Sequence, residues 1–401
     1  MRGTSAAFRD APEIYQSDVA WSGGSVRSWY VNSEGTSFTR TAPWAAIRIN
    51  ATTQASDASP LDDGLAVYAT SPGDLPTRDT LMQRVRAFAD RLTRLRATAP
   101  ESYNGPVLFE GAAAAELFAF VFGPGLAANR LPDSDLPMFQ RFAGMEKGML
   151  DQVGARVLPR SFSVVENPAL RVYEGKPIGG ALIDDDGVRT RETKLVDHGV
   201  LRTLLATRVP VAGISRSTGS RRGDRAGVTN LFVTTDSGLS DAQLRQRALA
   251  LAKQSGTGYV IVVRRLRNGG AMPRGFAAMM AAMSSSEQGP SVPLADAVKL
   301  YPDGHEEPIR GALLSGVTTA SFKNIAAASR SRTAATLSTA GGLEGGMLAM
   351  VRLIPGGFRG IFALETATYV VPSLLFDDVA IRKPTADNAA PPAFGPPWSA
   401  K

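Results

Sequence analysis

Cysteine is absent from the 401-residue chain, and histidine occurs only twice, as His198 and His305. The first absence excludes disulfides, thiolate metal ligands and a thiol nucleophile. It leaves the compartment open, because cytosolic and exported proteins can both dispense with cysteine. The second leaves little for a zinc hydrolase, which needs about three nitrogen, sulfur or carboxylate ligands plus an open position for water. No run of about 18 apolar residues free of charge occurs, so no transmembrane helix is expected. The opening MRGTSAAFRDAPEIYQ lacks the apolar core of a signal peptide. Also missing are the G-x-S-x-G nucleophile elbow, the phosphate-cradling P-loop and the G-x-G-x-x-G fingerprint. The glycine-rich run Gly341–Gly346 fits none of these spacings and reads as a flexible loop. No internal repeat is visible.

What is present suits a globular chain of two or three domains: 44 % of residues are hydrophobic and 20 % charged. The formal charge of +7 is spread thinly, apart from Arg216, Arg221, Arg222 and Arg225. With no recognition-helix motif and no aromatic–basic platform, nucleic acid is not expected as a partner; the excess reads as a basic, solvated surface.

Residues 17–70 alternate in the manner of strands and hairpins, with a turn at Glu34–Gly35. Over 79–97, Leu81, Val85, Phe88, Leu92 and Leu95 form one apolar stripe at helical spacing, with Asp79 placed to cap the start. Residues 111–122 are apolar on nearly every side, which predicts a buried helix stopped by Gly123-Pro124-Gly125. Antiparallel strands are expected over 180–206, turning at Asp184–Gly187 and at His198-Gly199. A long basic, glycine-bearing loop follows at 214–227. Ser240 and Gln243 form a capping box for a helix whose buried face is Leu244, Ala248 and Leu251, ended by Gly256. Strand 259–266 comes next, then a Gly/Ala/Met/Ser-rich excursion at 268–292, a hairpin over 298–315 turning at Pro302-Asp303-Gly304, and a last strand ending at 383. The Pro/Ala-rich end reads as a disordered tail. The pattern is α+β with dominant antiparallel sheet, and the absence of regular βαβ alternation argues against a Rossmann domain.

The stretch LFEGAAAAELFAF (108–120) sets two carboxylates, Glu110 and Glu116, around four alanines. They are candidate acid–base or metal groups. Six residues apart on a helix, they point roughly 120° away from each other and cannot easily share an ion. The simpler reading places Glu110 at the positive end of the helix and gives Glu116 a local partner. His198 and His305 fall in turns and read as exposed residues; a metal site using either, His305 with Glu306 or Glu307 for instance, is weakly motivated. The arginine loop, with Arg216, Thr218, Arg221, Arg222 and Asn230, is a candidate for holding a peptide carboxylate through paired hydrogen bonds; a solvated basic loop is the alternative.

The stretch LVDHGVLRTLLATRVPVAGISRSTGSRRG followed by VTNLFV resembles the TldD/PmbA family, peptidase-related proteins once described as modulators of DNA gyrase. Val196, Gly199, Val200, Leu201, Leu205, Thr218, Gly219 and Asn230 carry the match. NSEG (32–35), GPVLFEG (105–111), DDDGV (184–188), IRGALLSG (309–316) and VVPSLLFDDVAIRKP (370–384) agree with it in order. The resemblance implies a partial N-terminal α/β domain at 1–104, a larger C-terminal domain of curved antiparallel sheets at 105–384, and a tail at 385–401. It also implies more sequence before the NSEG region than this chain has.

TldD-type members carry an H-E-x-x-x-H helix after a G-P-V segment and a later cysteine, which bind zinc or iron; PmbA-type members, also called TldE, share the fold without those ligands and pair with TldD. Here GPVLF is followed by EGAAAAELFAF, with no histidine on that helix. The resemblance therefore implies a metal-free PmbA-like subunit of a homo- or hetero-oligomer, supporting proteolysis of unfolded or small peptides by a TldD-type partner. A peptidase active alone with divergent ligands and a non-catalytic peptide-binding module are the alternatives. A cytoplasmic location is expected, or an exported one if a signal precedes the chain.

Overall fold

In the computed structural model, which describes residues 2–129, 148–223, 225–266, 292–338 and 366–383, the N-terminal alternating segment forms three antiparallel strands: β1 (Gln16–Val31), β2 (Ser37–Gln54) and β3 (Pro60–Ala69). β1 and β2 pair from Gln16 opposite Thr52 to Val31 opposite Ser37. Asn32 closes the turn between them, its Oδ1 accepting from the backbone N–H groups of Glu34 and Thr36 at 3.1 and 2.9 Å. One face of this sheet is covered by α1 (Arg78–Leu95). The apolar stripe read from the sequence is the buried one: Leu81, Val85, Phe88, Leu92 and Leu95 pack with Ile47 and Ile49 of β2. The cap differs from expectation. Thr77, outside the helix, accepts from the Thr80 N–H at 3.4 Å, whereas Asp79 already lies in the first turn.

The rest folds around one large sheet. Its elements are β4 (Tyr103–Phe109), α2 (Ala112–Leu117), β5 (Phe162–Glu166), β6 (Thr193–Asp197), β7 (Val200–Leu201), β8 (Asn230–Thr235), α3 (Asp241–Gln254), β9 (Val260–Leu266), β10 (Val292–Leu300), β11 (Glu306–Pro308), β12 (Leu313–Ser315), β13 (Ile325–Ser338) and β14 (Thr366–Arg382). The strand order is β7-β6-β5-β8-β14-β12-β10-β9-β4, and β4 pairs again with β14. The ladder through β14, β12, β10, β9 and β4 thus returns to its starting strand. β14 can serve all these neighbours because of its length: β8 and β13 pair along its first part, β4 and β12 along its second. Pairing is antiparallel except for β4–β9 and β8–β14. This is the α+β, mainly antiparallel architecture the sequence led us to expect.

The period of two along the strands sends neighbouring residues to opposite faces. Val107, Phe109, Ile261 and Val263 join the core that holds α2; Leu108, Val260 and Val262 pack with Leu244, Ala248 and Ala252 of α3. The expected capping box of α3 is present, with Ser240 and Gln243 bonded reciprocally at 3.0 and 3.2 Å. The predicted buried helix at 111–122 is buried but shorter as an α-helix: α2 ends at Leu117, a single π turn covers 118–122, and a 3₁₀ turn runs over 123–126. Phe118, Phe122 and Phe322 pack mutually with ring centroids 5.0 Å apart. The expected excursion at 268–292, apart from Val292, lies outside the described residues, as do the Gly341–Gly346 run and the tail at 385–401.

The two sheets are tied by buried charge. Asp63 of β3 has a side chain only 3 % exposed and lies between the guanidiniums of Arg91 on α1 and Arg265 on β9. Arg265 also donates to the Gly64 carbonyl at 2.6 Å, and Arg91 to the Ala295 carbonyl of β10. Burial alone would raise the Asp63 pKa, but the two positive charges and their hydrogen bonds hold it below the usual carboxylate value. A second tie joins Arg310, itself 4 % exposed, to Asp57 in the β2–β3 turn at 2.5 and 2.9 Å. Removing the charge of Asp63 leaves two partly buried guanidiniums uncompensated. Asp63→Asn is expected to cost about 3–5 kcal/mol in urea unfolding at pH 7; a loss below about 1 kcal/mol would mean that water reaches these groups.

Candidate functional site

β4 delivers the segment at which the chemistry of the opening carboxylates is decided. At its end the Glu110 N–H donates to the Val263 carbonyl at 2.9 Å, and Gly111 turns the chain into α2. Glu110 therefore precedes the helix, and no acidic residue stands in the helix's first turn. Its carboxylate is not held by the helix end, as the sequence suggested, but by Arg245 of α3, which grips both oxygens at 2.6 and 2.8 Å. Arg264 of β9 lies 3.9 Å from the same carboxylate and binds Glu306 of β11 at 2.6 and 2.7 Å. Two carboxylates and two guanidiniums satisfy one another, which leaves Glu110 poorly placed as a base or a ligand.

Glu116 lies six residues further on, in the second turn of α2, and is 5 % exposed. Its Oε2 accepts from the Leu266 N–H at 2.6 Å. Burial pushes its pKa up to about 7, the Leu266 N–H and Arg265 oppose the shift, and Asp63 adds to it. Ala113, Ala114 and Ala115 beside it have no exposed surface. The two glutamates use different partners on different sides of the strand end, in keeping with the divergence expected from their spacing.

His198 occupies a left-handed turn position between β6 and β7, its side chain 66 % exposed and 3.5 Å from Asp236. His305 lies in the expected turn after β10, 61 % exposed and 3.7 Å from Glu307. The structure does not bring them together. Among the described residues no group of three or more His, Cys, Asp or Glu side chains is arranged to hold a metal ion. α2 itself offers alanine methyl groups, which cannot ligate a metal, and one carboxylate already bonded to a backbone N–H, and among the described residues no histidine or cysteine stands beside it, a set that does not fit the zinc or iron implied by family resemblance.

The basic loop is organised by an acidic turn that sequence reading left unconnected to it. Asp184 is buried and accepts from the N–H groups of Asp186, Val188 and Arg221 at 2.9, 2.9 and 3.0 Å. Arg221 pairs with Asp186 at 3.1 Å, and Asp185 accepts from the Gly223 N–H at 2.7 Å. Arg222 donates to the Thr366 carbonyl at 3.3 Å. Arg216 is exposed and has no ion-pair partner among the described residues. The tip of the β1–β2 hairpin joins the same turn: the Tyr30 hydroxyl donates to the Asp186 carbonyl at 2.7 Å, and Arg40 pairs with Asp185.

Thr218 and Asn230, grouped with these arginines as candidate peptide contacts, are placed otherwise. Thr218 is 4 % exposed and accepts from the Ala206 N–H at 2.7 Å. Next to it Gly219 has φ +73° and a Cβ there would stand 2.5 Å from the Arg189 carbonyl, so only glycine fits. Asn230 has no exposed surface, and its Nδ2 donates to the carbonyls of Asn167, Leu170 and Gly179 at 3.3, 2.8 and 2.6 Å. Both side chains frame the loop from inside. Glu166, which the sequence reading missed, is buried beneath them and accepts from the Thr229 and Asn230 N–H groups at 2.7 and 3.2 Å; burial pushes its pKa up to about 8.

The family model for the PmbA/TldA metallopeptidase C-terminal domain matches residues 102–383. A protein of Haemophilus influenzae described as a metalloprotease PmbA homolog is 30 % identical over 113 residues, a stretch that spans 28 % of this chain and 22 % of that relative. Among solved structures, a protein of Thermotoga maritima described as a candidate modulator of a DNA gyrase superposes with a TM-score of 0.63 at 15 % identity, covering 94 % of this chain and 72 % of its own. TldE from Thermococcus kodakarensis gives a TM-score of 0.56 at 14 % identity, covering 95 % and 72 %. These two likenesses concern the fold.

The Glu116 pKa carries a stability prediction. Its folded-state value of about 7 lies above the model-peptide value of 4.5, so the contribution of the protonated carboxyl is whole below about pH 4.5 and is lost as pH rises through about 7. Glu116→Gln removes this titration while keeping an oxygen for the Leu266 N–H. Relative to the wild type, the variant is expected to gain up to roughly 3 kcal/mol between pH 5 and pH 8. Urea unfolding at the two pH values checks it; a constant difference between the proteins contradicts the raised pKa.

Proposed function

The chain belongs to the TldD/PmbA family of metallopeptidase-related proteins, and on that premise we propose that it is a metal-free, PmbA-like subunit that supports cleavage of unfolded or small peptides by a TldD-type partner. One observation carries the reading. The helix that follows the G-P-V segment offers Ala112–Ala115 and no histidine, and its Glu116 is spent on the Leu266 N–H. In this reading the partner holds the zinc or iron ion and performs the hydrolysis. α2 supplies a packed, apolar floor, and the acidic turn bound to the arginine loop supplies a second surface held by hydrogen bonds.

The peptide-contacting groups in this reading are Arg216, Arg221 and Arg222, on the outside of the loop. Thr218 and Asn230 keep the loop in shape. Arg216 has the greatest freedom of the three to hold a carboxylate, because Arg221 and Arg222 already have partners within the chain.

Cleavage of a fluorogenic unfolded peptide tests the proposal. The chain alone is expected to give no rate above buffer, and a TldD-type subunit bearing the H-E-x-x-x-H helix is expected to cleave about tenfold faster when the chain is added, a change of about 1.4 kcal/mol in the barrier. Cleavage by the chain alone, abolished in Glu116→Gln, would replace this reading with that of a self-sufficient peptidase. A partner rate unchanged by the chain would overturn it.

A further inference from the structure

A cleft of about 530 Å³ opens between α1 and strands β9, β10 and β11 of the large sheet, and none of its lining residues belongs to α2 or to the arginine loop. That volume is in the range of pockets that take small ligands or short peptide segments. Arg84, Arg91, Arg94, Arg264 and Arg265 line it, against the carboxylates of Asp296 and Glu306. The arginines are not equivalent. Arg91 and Arg265 are engaged with Asp63, and Arg264 with Glu306. Arg84 and Arg94 are exposed and have no ion-pair partner among the described residues. Between the charges the wall is apolar, formed by Phe88, Leu65, Val298 and Pro308.

The helix sets the spacing of the guanidiniums of Arg84 and Arg94. Positions 84, 87, 91 and 94 recur at three and four residues, so they share the edge of α1 next to its buried stripe. Ten residues of helix separate Arg84 from Arg94, which is about 15 Å along the axis. A single small anion cannot satisfy both ends at once. An extended peptide covers the same distance in four or five residues, at about 3.3 Å each, and can lay aliphatic carbons on the apolar wall while presenting a carboxylate at each end.

We propose that this cleft binds extended peptide segments carrying two acidic residues about four positions apart, with Arg84 and Arg94 as the carboxylate-binding groups and the Arg91–Asp63–Arg265 group as its fixed floor. The assignment rests on the peptide-handling reading above and adds to it a preference for acidic segments at a site separate from the hydrolytic centre of the partner.

Fluorescence anisotropy on the isolated full chain tests it, with a labelled, end-capped Glu-Ala-Ala-Ala-Glu peptide and its Gln-Ala-Ala-Ala-Gln counterpart as probes. The glutamate peptide is expected to bind at least about tenfold more tightly, and to weaken as salt rises from about 0.1 to 1 M. Arg84→Gln and Arg94→Gln should each weaken it roughly three- to fivefold, and the double variant about tenfold or more. Glutamine retains helix propensity, and far-ultraviolet circular dichroism confirms that the variants fold. Arg86→Gln, on α1 outside the cleft, should leave binding unchanged. Equal binding of the two peptides, an unaffected double variant, or inorganic tripolyphosphate binding as tightly as the glutamate peptide would overturn the proposal. Because binding is read on the chain alone, these outcomes are independent of whether the chain accelerates a metal-bearing partner.

Discussion

The Asp63 carboxylate, buried between the guanidiniums of Arg91 and Arg265, fixes three elements to one another: strand β3, helix α1 and strand β9. A charge this deeply buried is tolerated only when its partners are in place, so the small sheet with its helix must dock on the large sheet in one register. The consequences reach both sites. Arg265 and Asp63 act with opposite sign on Glu116, whose raised pKa records the apolar setting of α2. The same guanidiniums form the floor of the cleft beside α1, where Arg84 and Arg94 have no ion-pair partner among the described residues.

Charge also organises the opposite end of the molecule, by a different route. There the turn Asp184–Gly187 gathers backbone N–H groups from the arginine loop and receives the tip of the β1–β2 hairpin. The acidic turn neutralises part of the loop, and Asn230 and Thr218 anchor it from below. What faces outward is a rigid, partly compensated basic surface. Its rigidity comes from buried hydrogen bonds, each costly to leave unmade.

Local pattern made much of this legible. The stripe of α1, the Ser240–Gln243 box, the Glu34–Gly35 turn and the Pro302–Gly304 turn are written in spacings of a few residues, and the structure holds all four. Sequence spacing could not show that Glu110 would meet Arg245 or that Asp63 would meet Arg265, because those pairs are separated by 135 and 202 positions. The same limit hid the bond between the DDDG turn and the arginine loop, although both segments were noticed separately. Glu166 could have been found: in FSVVE it shares the inward parity of Phe162 and Val164, which marks a buried carboxylate. The closure of β4 on β14 had no local signal, since it depends on one long strand serving several neighbours. The family resemblance bridged that gap for the fold, and left the activity to be argued from the site.

The proposed metal-free role turns on α2, the helix after the G-P-V segment, which carries packed alanines and no histidine. Plasma mass spectrometry on the full chain, purified without a metal-binding tag, tests that claim most directly. The account predicts well below about 0.1 zinc or iron per chain in a protein that unfolds cooperatively. About one tightly held zinc or iron ion per chain would contradict it and return His198, His305 and the glutamates to consideration as ligands.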